Sequence, residues 1–342
     1  MITFSILVPA YKSQFLSECI DSILAQTYKH FELVIVNDAS PYDIDSIVSA
    51  YSDPRIRYYK NIDGYGAERL VDNWNHCLEY ATGEYVMCMG DDDKLLPSCL
   101  EDYASFICLH PNLNVYHSRT LYIDHRSIEK KVQAVRPAEE TVYSSIWHRL
   151  SGYYRFSIGE YLFNTKQLRD NKGFYYTPMA WAADDLTVWK LSVSSNIGNI
   201  PTPGFMFRDS SQSISGNSSG CREKIQALLM LKKWIKEMED VQSHSALDQF
   251  YKERIPSAGN LYVSVFCKHL VCDDIVAHPI NGIRYWLRNK KIDEDISISS
   301  GEIIHYFFIS LKHHIYSKFY IIIRMVKNTP PLVTRFYNRA GL

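Results

Sequence analysis

The stretch YVMCMGDDDKLLP, residues 85–97, sets five mostly apolar residues before three aspartates, Asp91, Asp92 and Asp93. A short apolar run bounded by turn signals reads as a strand buried on both faces. Ionised carboxylates side by side repel one another and are costly to bury. A buried strand that ends in three of them must deliver them to water, to hydrogen-bond donors or to a cation.

Working outward, the same alternation repeats. FSILVPAY, residues 4–11, is another continuous apolar run, and FELVIVND, residues 31–38, is a third. Between them Leu16, Ile20, Ile23 and Leu24 recur at helical spacing. IDSIVSAYS reads as a short helix, RIRYYK as a strand, and LVDNWNHCLEYAT, residues 70–82, as a helix after the glycine-containing loop NIDGYGAER. Strand and helix in alternation predict βαβ units and a mostly parallel sheet flanked by helices, an α/β fold. In such sheets ligands bind beyond the carboxyl ends of the strands. Asp38 ends one predicted strand and Asp91–Asp93 end another, so parallel pairing would bring them to one edge. There they could hold Mg²⁺ or Mn²⁺ through oxygen ligands, hydrogen-bond hydroxyls and ring N–H groups, or simply face solvent.

The pattern continues less regularly. Residues 97–111 read as a helix, residues 114–123 as a strand, and residues 125–150 show no clear period. GEYLFNTKQLRDNKGF, residues 159–174, reads as strand, short helix and turn, and AADDLTVWKLSVS, residues 182–194, as a helix. PGFMFRDSSQSISGNSSG, residues 203–220, starts as a strand and becomes a Ser/Gly-rich loop, the best boundary in the chain. The reading is two domains, an α/β domain over 1–215 and a helical region over 216–342.

Composition narrows the class. The 342 residues are 46% hydrophobic and 22% charged with a net charge of -1, which fits a globular protein and gives no nucleic-acid signal. Eight cysteines include no C-x-x-C and no histidine pair at zinc spacing, so they read as small hydrophobes in a reducing cytoplasm. MITFSILVPAYK reads as a first strand rather than a signal peptide, and no run reaches 18 uninterrupted apolar residues. The 25 tyrosines suit sugar stacking and equally suit core packing.

Six segments in order resemble glycosyltransferase family 2, with its nucleotide-binding GT-A fold. They are SILVPAYK (5–12), SILAQTYKHFELVIVNDAS (22–40), ATGEYVMCMGDDDKLLP (81–97), LFNTKQLRDNKGF (162–174), AADDLTVWKL (182–191) and FRDSSQSIS (207–215). The resemblance covers about residues 1–215. It implies an inverting transferase with a nucleotide-diphosphate sugar donor, usually uridine-based, a divalent Mn²⁺ or Mg²⁺, and a glycan or lipid-linked glycan acceptor. Carried over, Pro9, Ala10 and Tyr11 line the base pocket and Asp38 bonds the base or ribose. Arg69 and Asn73 lie near the donor. Asp185 is the catalytic base, with Asp184, Trp181 and Arg208 on the acceptor side or closing loop. The family's D-x-D-D becomes GDDD here, with Gly90 in its first place. That shift leaves Asp92 as metal ligand, Asp93 as ligand or sugar contact, and Asp91 as a donor-site residue that reads as the wettest of the three. Asp184–Asp185 also suits an ordinary acidic first turn of a helix, and Trp181 suits core packing. The rival readings are a sugar-nucleotide nucleotidyltransferase, disfavoured by the glycine-free PAYKSQF turn, and a non-catalytic glycan-binding protein on a transferase fold.

The carboxyl-terminal residues 301–342 carry six basic residues and one acidic one, Glu302, so they stand at about +5 in a chain of net -1. Their basic residues punctuate apolar runs such as HYFFISL and HHIYSKFYIIIRMV. A basic, aromatic, amphipathic tail is a candidate for peripheral contact with the inner face of a membrane. Its rival is a helix packed on the protein with a solvated basic face.

Overall fold

A computed structural model describes residues 1–209, 219–243 and 245–312. The chain forms two compact units, residues 1–266 and 267–342. The Ser/Gly-rich segment at the predicted boundary falls largely outside the described residues, as does the tail from residue 313.

The first unit alternates as its apolar runs dictate: β1 (Phe4–Ala10), α1 (Leu16–Leu24), β2 (Phe31–Asn37), α2 (Ile44–Ser49), β3 (Ile56–Lys60), α3 (Leu70–Glu79), β4 (Tyr85–Cys88). It goes on through β5 (Lys94–Leu95), α4 (Cys99–Leu109), β6 (Val115–Ile123), β7 (Glu129–Val132), β8 (Glu139–Glu140), α5 (Val142–Leu150), β9 (Tyr161–Asn164), α6 (Thr165–Asp170), α7 (Ala183–Ser192) and β10 (Ile197–Arg208). Helices α8 (Cys221–Glu237), α9 (Ala246–Lys252), α10 (Ile255–Ala277) and α11 (Pro279–Arg288) follow, and a further helix runs over 300–312.

One sheet takes the order β3-β2-β1-β4-β9-β6-β10-β5, with β7 beside β6 and β8 beside β10. The first half, β3-β2-β1-β4, is parallel throughout, as the alternation predicted. The second half is mixed: β9 runs antiparallel to both β4 and β6, while β6 and β10 are parallel. The core lies against the inner strands, where Ile6, Val8, Leu33, Ile35 and Met87 are fully buried with Leu16, Ile20 and Ile23 of α1. Their burial on both sheet faces is why these strands read as unbroken apolar runs.

Two elements depart from the sequence reading. β10 begins six residues before the predicted start, because Pro201 and Pro203 mask its first half; the register slips on either side of Pro203. Proline lacks a ladder donor, so such slips are how a strand accommodates it. Residues 125–150 hold a fully exposed strand, β7, a two-residue strand and a helix capped by Thr141, whose hydroxyl accepts from the Ser144 N–H. An exposed strand has no apolar face, so it leaves no period in the sequence. In the second unit, Trp286 of α11 donates its indole N–H to Asp274 at 2.7 Å.

The Thr82–Gly83 turn before β4 sets where that strand starts. Gly83 N–H donates to Ser5 Oγ at 2.8 Å and Thr82 N–H to Glu32 at 2.6 Å. A Cβ on Gly83 would fall 2.7 Å from the backbone of Phe4 and Ser5, which cannot move without shifting β1. We expect Gly83→Ala to lower stability by about 1–3 kcal/mol, read as a lower urea midpoint; an unchanged midpoint would show that the turn tolerates a side chain.

Candidate active site

The three aspartates sit at the carboxyl edge of the parallel half-sheet, just past β4, and they are not equivalent. Asp91 is 4% exposed, which overturns its reading as the wettest of the three. Its Oδ2 accepts the backbone N–H groups of Tyr11 at 2.8 Å and Lys12 at 2.6 Å, so it fastens the end of β1 to the end of β4. Asp93 is 5% exposed and accepts the Arg208 backbone N–H at 2.9 Å. Asp92 is the most open, and its Oδ2 takes the Lys12 ammonium at 2.5 Å. Burial pushes the Asp91 and Asp93 carboxyls up, and the adjacent Asp92 adds to both. Burial opposes the charge on Lys12, but Asp91 and Asp92 outweigh it and hold the ammonium above its ordinary value.

Gly90 explains the shifted motif. A Cβ there would lie 3.0 Å from Asp93 Oδ2 and 3.1 Å from Asp92 Oδ1. Two carboxylate oxygens therefore converge on the space that a side chain at this position would fill. Among the described residues no group of three His, Cys, Asp or Glu side chains is arranged to hold a metal by itself. Two convergent oxygens suit a hard divalent ion that draws its other ligands from phosphate and water. The residues present fit Mn²⁺ or Mg²⁺ on those terms.

Arg208, expected on the closing loop, is buried and acts as a tether. Its Nε donates to the Asp92 carbonyl at 2.7 Å, its Nη2 to Glu18 at 3.0 Å, and its guanidinium lies 4.0 Å over Phe15. Pro9, Ala10 and Tyr11 end β1 beside this turn; Ala10 is buried, Tyr11 is 46% exposed, and Ser40 donates to the Tyr11 carbonyl. Asp38 has a structural set of partners. Its carboxylate accepts from Tyr65 N at 2.8 Å, Asn61 Nδ2 at 3.0 Å and Gly66 N at 3.1 Å, and so holds the Gly64–Gly66 loop over the edge. Asn73 stands behind it, buried, accepting from Asn61. Arg69 points outward, paired with Asp72 at 2.9 Å and stacked on Tyr65.

The Asp184–Asp185 pair opens α7 after an unusual backbone. Met179, Ala180 and Ala182 all have positive φ, at 58°, 53° and 61°. Non-glycine residues held there store strain of about 1–3 kcal/mol each, a cost that clusters at functional sites. Asp185 is 2% exposed and is gripped by Arg149, Nε to Oδ1 at 2.7 Å and Nη2 to Oδ2 at 3.2 Å. Asp184 is half-buried, and its Oδ1 accepts the Asp185 backbone N–H at 2.9 Å. Burial, then the charge of Asp185, pushes the Asp184 carboxyl up to about 8. Trp181 is partly exposed, with the buried Lys224 ammonium 4.9 Å from its ring.

Three participants had gone unnoticed in the sequence. Lys12 follows P-A-Y at the acidic edge, and a cation directly after the strand end was a usable signal. Arg149 lies in the aperiodic region and left none. Glu160 is fully buried between Thr120 at 2.5 Å and Gln133 at 2.9 Å, and burial pushes it up to about 7.

A parallel half-sheet ending in an acidic turn, with a strained helix start carrying a carboxylate pair, has the architecture of a GT-A transferase. Comparison agrees. The profile of Glycosyl transferase family 2 matches residues 5–185. EpsE of Bacillus subtilis is 35% identical over 109 residues, which are 32% of this chain and 39% of that protein. WcaA of Escherichia coli K12, named for colanic acid biosynthesis, is 32% identical over 163 residues, 46% of this chain and 55% of its own. Both carry glycosyltransferase names, and the match spans less than two thirds of either. Among solved structures, Staphylococcus aureus TarS with UDP-GlcNAc superposes with a TM-score of 0.61 at 17% identity, covering 92% of each chain. A Pyrobaculum calidifontis mannosyltransferase in complex with GDP-Man and Mn²⁺ gives 0.51 at 16% identity, covering 93% of this chain and 88% of its own. The chain belongs to glycosyltransferase family 2 and has the GT-A fold.

The raised Asp184 makes a stability prediction. An unfolded aspartate releases its proton near pH 3.9, whereas the folded one holds it to about 8. Between those values the folded state binds more protons, so this group's contribution is full in acid and is lost as pH rises toward about 8. Asp184→Asn should flatten the fall of the urea midpoint between about pH 5 and about pH 8. A variant that keeps the parent's slope would contradict this.

Proposed function

We propose that this enzyme moves a sugar from a nucleotide-diphosphate donor, with UDP-sugars the expected class, onto a hydroxyl of a glycan or lipid-linked glycan, inverting the anomeric carbon. The observation that carries the reading is the convergence of Asp92 Oδ1 and Asp93 Oδ2 beside Gly90, at the carboxyl edge of β1 and β4. The neighbours named with UDP-GlcNAc and with GDP-Man and Mn²⁺ support a nucleotide-sugar donor and a divalent ion. Colanic acid biosynthesis in the name of WcaA supports a polysaccharide acceptor. The non-catalytic alternative is disfavoured by the intact carboxylate pair.

The donor's base would sit at Pro9, Ala10 and Tyr11, under the loop that Asp38 fastens. Asp92 and Asp93 would hold the ion, which when bound offsets the charge that grows on the leaving diphosphate. Lys12 adds a fixed positive charge at the same edge. One carboxylate on the opposite face of the sugar suffices to take the acceptor's proton in a single displacement. Asp185 is proposed for that step: Arg149 fixes its orientation with one bond to each carboxylate oxygen. Among the described residues no helix is long and apolar enough to cross a membrane. A lipid-linked acceptor would instead be approached through the basic 301–342 tail, from the cytoplasmic face.

Two variants test this reading. Asp92→Ala should weaken Mn²⁺-dependent UDP binding by at least about tenfold in calorimetry; UDP affinity that is the same with and without Mn²⁺ in the parent would refute the metal assignment. Asp185→Asn should cut sugar transfer by about 10²–10⁴-fold while UDP binding stays close to the parent's. Undiminished transfer would remove Asp185 as the base.

A further inference from the structure

A second concavity, of about 230 Å³, opens beside the β6–β7 hairpin. That is below the ~300–1,000 Å³ of sites for drug-sized ligands and suits one sugar ring better than a nucleotide sugar. Tyr122, Tyr153 and Tyr154 line it with Lys131, Arg136 and Arg155, and no carboxylate does. Lys131 and Tyr122 face each other across the hairpin, and the Lys131 ammonium lies 4.6 Å from the Tyr122 ring, with Arg155 5.8 Å from the same ring.

The three cations differ in how they are used. Arg136 is 5% exposed and committed: it donates to Tyr161 at 3.0 Å, stacks 4.2 Å over Tyr154 and faces Glu160 at 3.6 Å. Lys131 and Arg155 are exposed, and among the described residues neither forms an ion pair with a carboxylate, whereas the adjacent Lys130 pairs with Asp209 at 3.4 Å. Two cations poised over one aromatic ring, with no acid to neutralise them, form a site for an anion that carries an apolar face. A sugar with a carboxylate or phosphate substituent has both features.

The cleft also borders the reaction edge. Tyr122 pairs with Phe207 in the β6–β10 ladder, one residue before Arg208, whose N–H bonds Asp93. Gln133, on its wall, donates to Glu160, whose charge acts on Asp184. We infer that this cleft is an acceptor subsite that takes an acidic sugar unit, held by Lys131 and Arg155 and stacked on tyrosine. The inference rests on the transferase reading for the word acceptor, but the binding site stands on its own lining.

The test is ligand-observed NMR titration of the full chain with glucuronate, glucose 6-phosphate and glucose, in saturating UDP so that the donor site is filled. We expect at least one acidic sugar to bind about fivefold more tightly than glucose, the gain two exposed ion pairs supply. Whichever acid binds better identifies carboxylate or phosphate as the natural group. The Lys131→Ala, Arg155→Ala double variant, on exposed positions, should lose that preference and keep its UDP affinity. Equal binding of acidic and neutral sugars, or a preference that survives the double variant, would overturn the inference. Failure of UDP to bind in the parent would instead strike the donor reading, and the acidic-sugar comparison would still decide the cleft.

Discussion

The buried carboxylate of Asp91 is the constraint from which the site follows. An ionised group taken out of water costs several kcal/mol unless it is fully partnered. Asp91 is partnered by two main-chain N–H groups at the end of β1, eighty and seventy-nine residues away in sequence. Hydrogen bonds to a charged group contribute about 1.5–3 kcal/mol each, so the acid and the strand end stabilise one another or neither is stable. The next two residues are placed by that lock. Asp92 is turned outward to Lys12, and Asp93 is turned inward to the Arg208 backbone on β10. Strands from both halves of the sheet thus converge on three consecutive acids. The edge where nucleotide chemistry is expected is also where the two halves are tied together.

The parallel half of the sheet was legible because each of its strands is buried on both faces, and burial writes itself as an unbroken apolar run. The acidic edge was legible because carboxylates after such a run have few inexpensive explanations. The roles within the edge were not. Whether Asp91 or Asp92 meets solvent depends on which one finds the β1 amides, and amides leave no mark in a sequence. Asp38 shows the same limit: it ends its strand as predicted, yet its oxygens are taken up by a loop almost thirty residues on. Gly90 was read as a departure, and only the geometry shows that two oxygens occupy the place of its missing side chain.

The carboxylate pair illustrates how one motif can divide its labour by environment. Adjacent residues on the first turn of α7 would share a similar helix-dipole field. Arg149 removes the equivalence. It bonds both oxygens of Asp185, while Asp184 has no such partner among the described residues and is raised by burial and then by its neighbour. A partly buried arginine that bonds one carboxylate satisfies a pair, so a second carboxylate beside it is the member whose proton is held more tightly. The backbone leading in, with three non-glycine residues at positive φ, places both groups where an ordinary helix start would not.

Arg149 comes from the part of the chain least readable at the outset. Residues 119–160 supply the hairpin bearing Tyr122 and Lys131, the buried Arg136, the helix that presents Arg149, the loop with Tyr154 and Arg155, and finally Glu160. β6 was legible as a strand over 114–123, but β7 is fully exposed and left no apolar period. A scaffold must repeat the same burial pattern to stand up, whereas the surface that chooses a partner is released from that demand. A partner-facing segment is therefore expected to be short, charged, aromatic and irregular. The opacity of 125–150 and its concentration of cations, including the arginine that grips Asp185, have one physical origin.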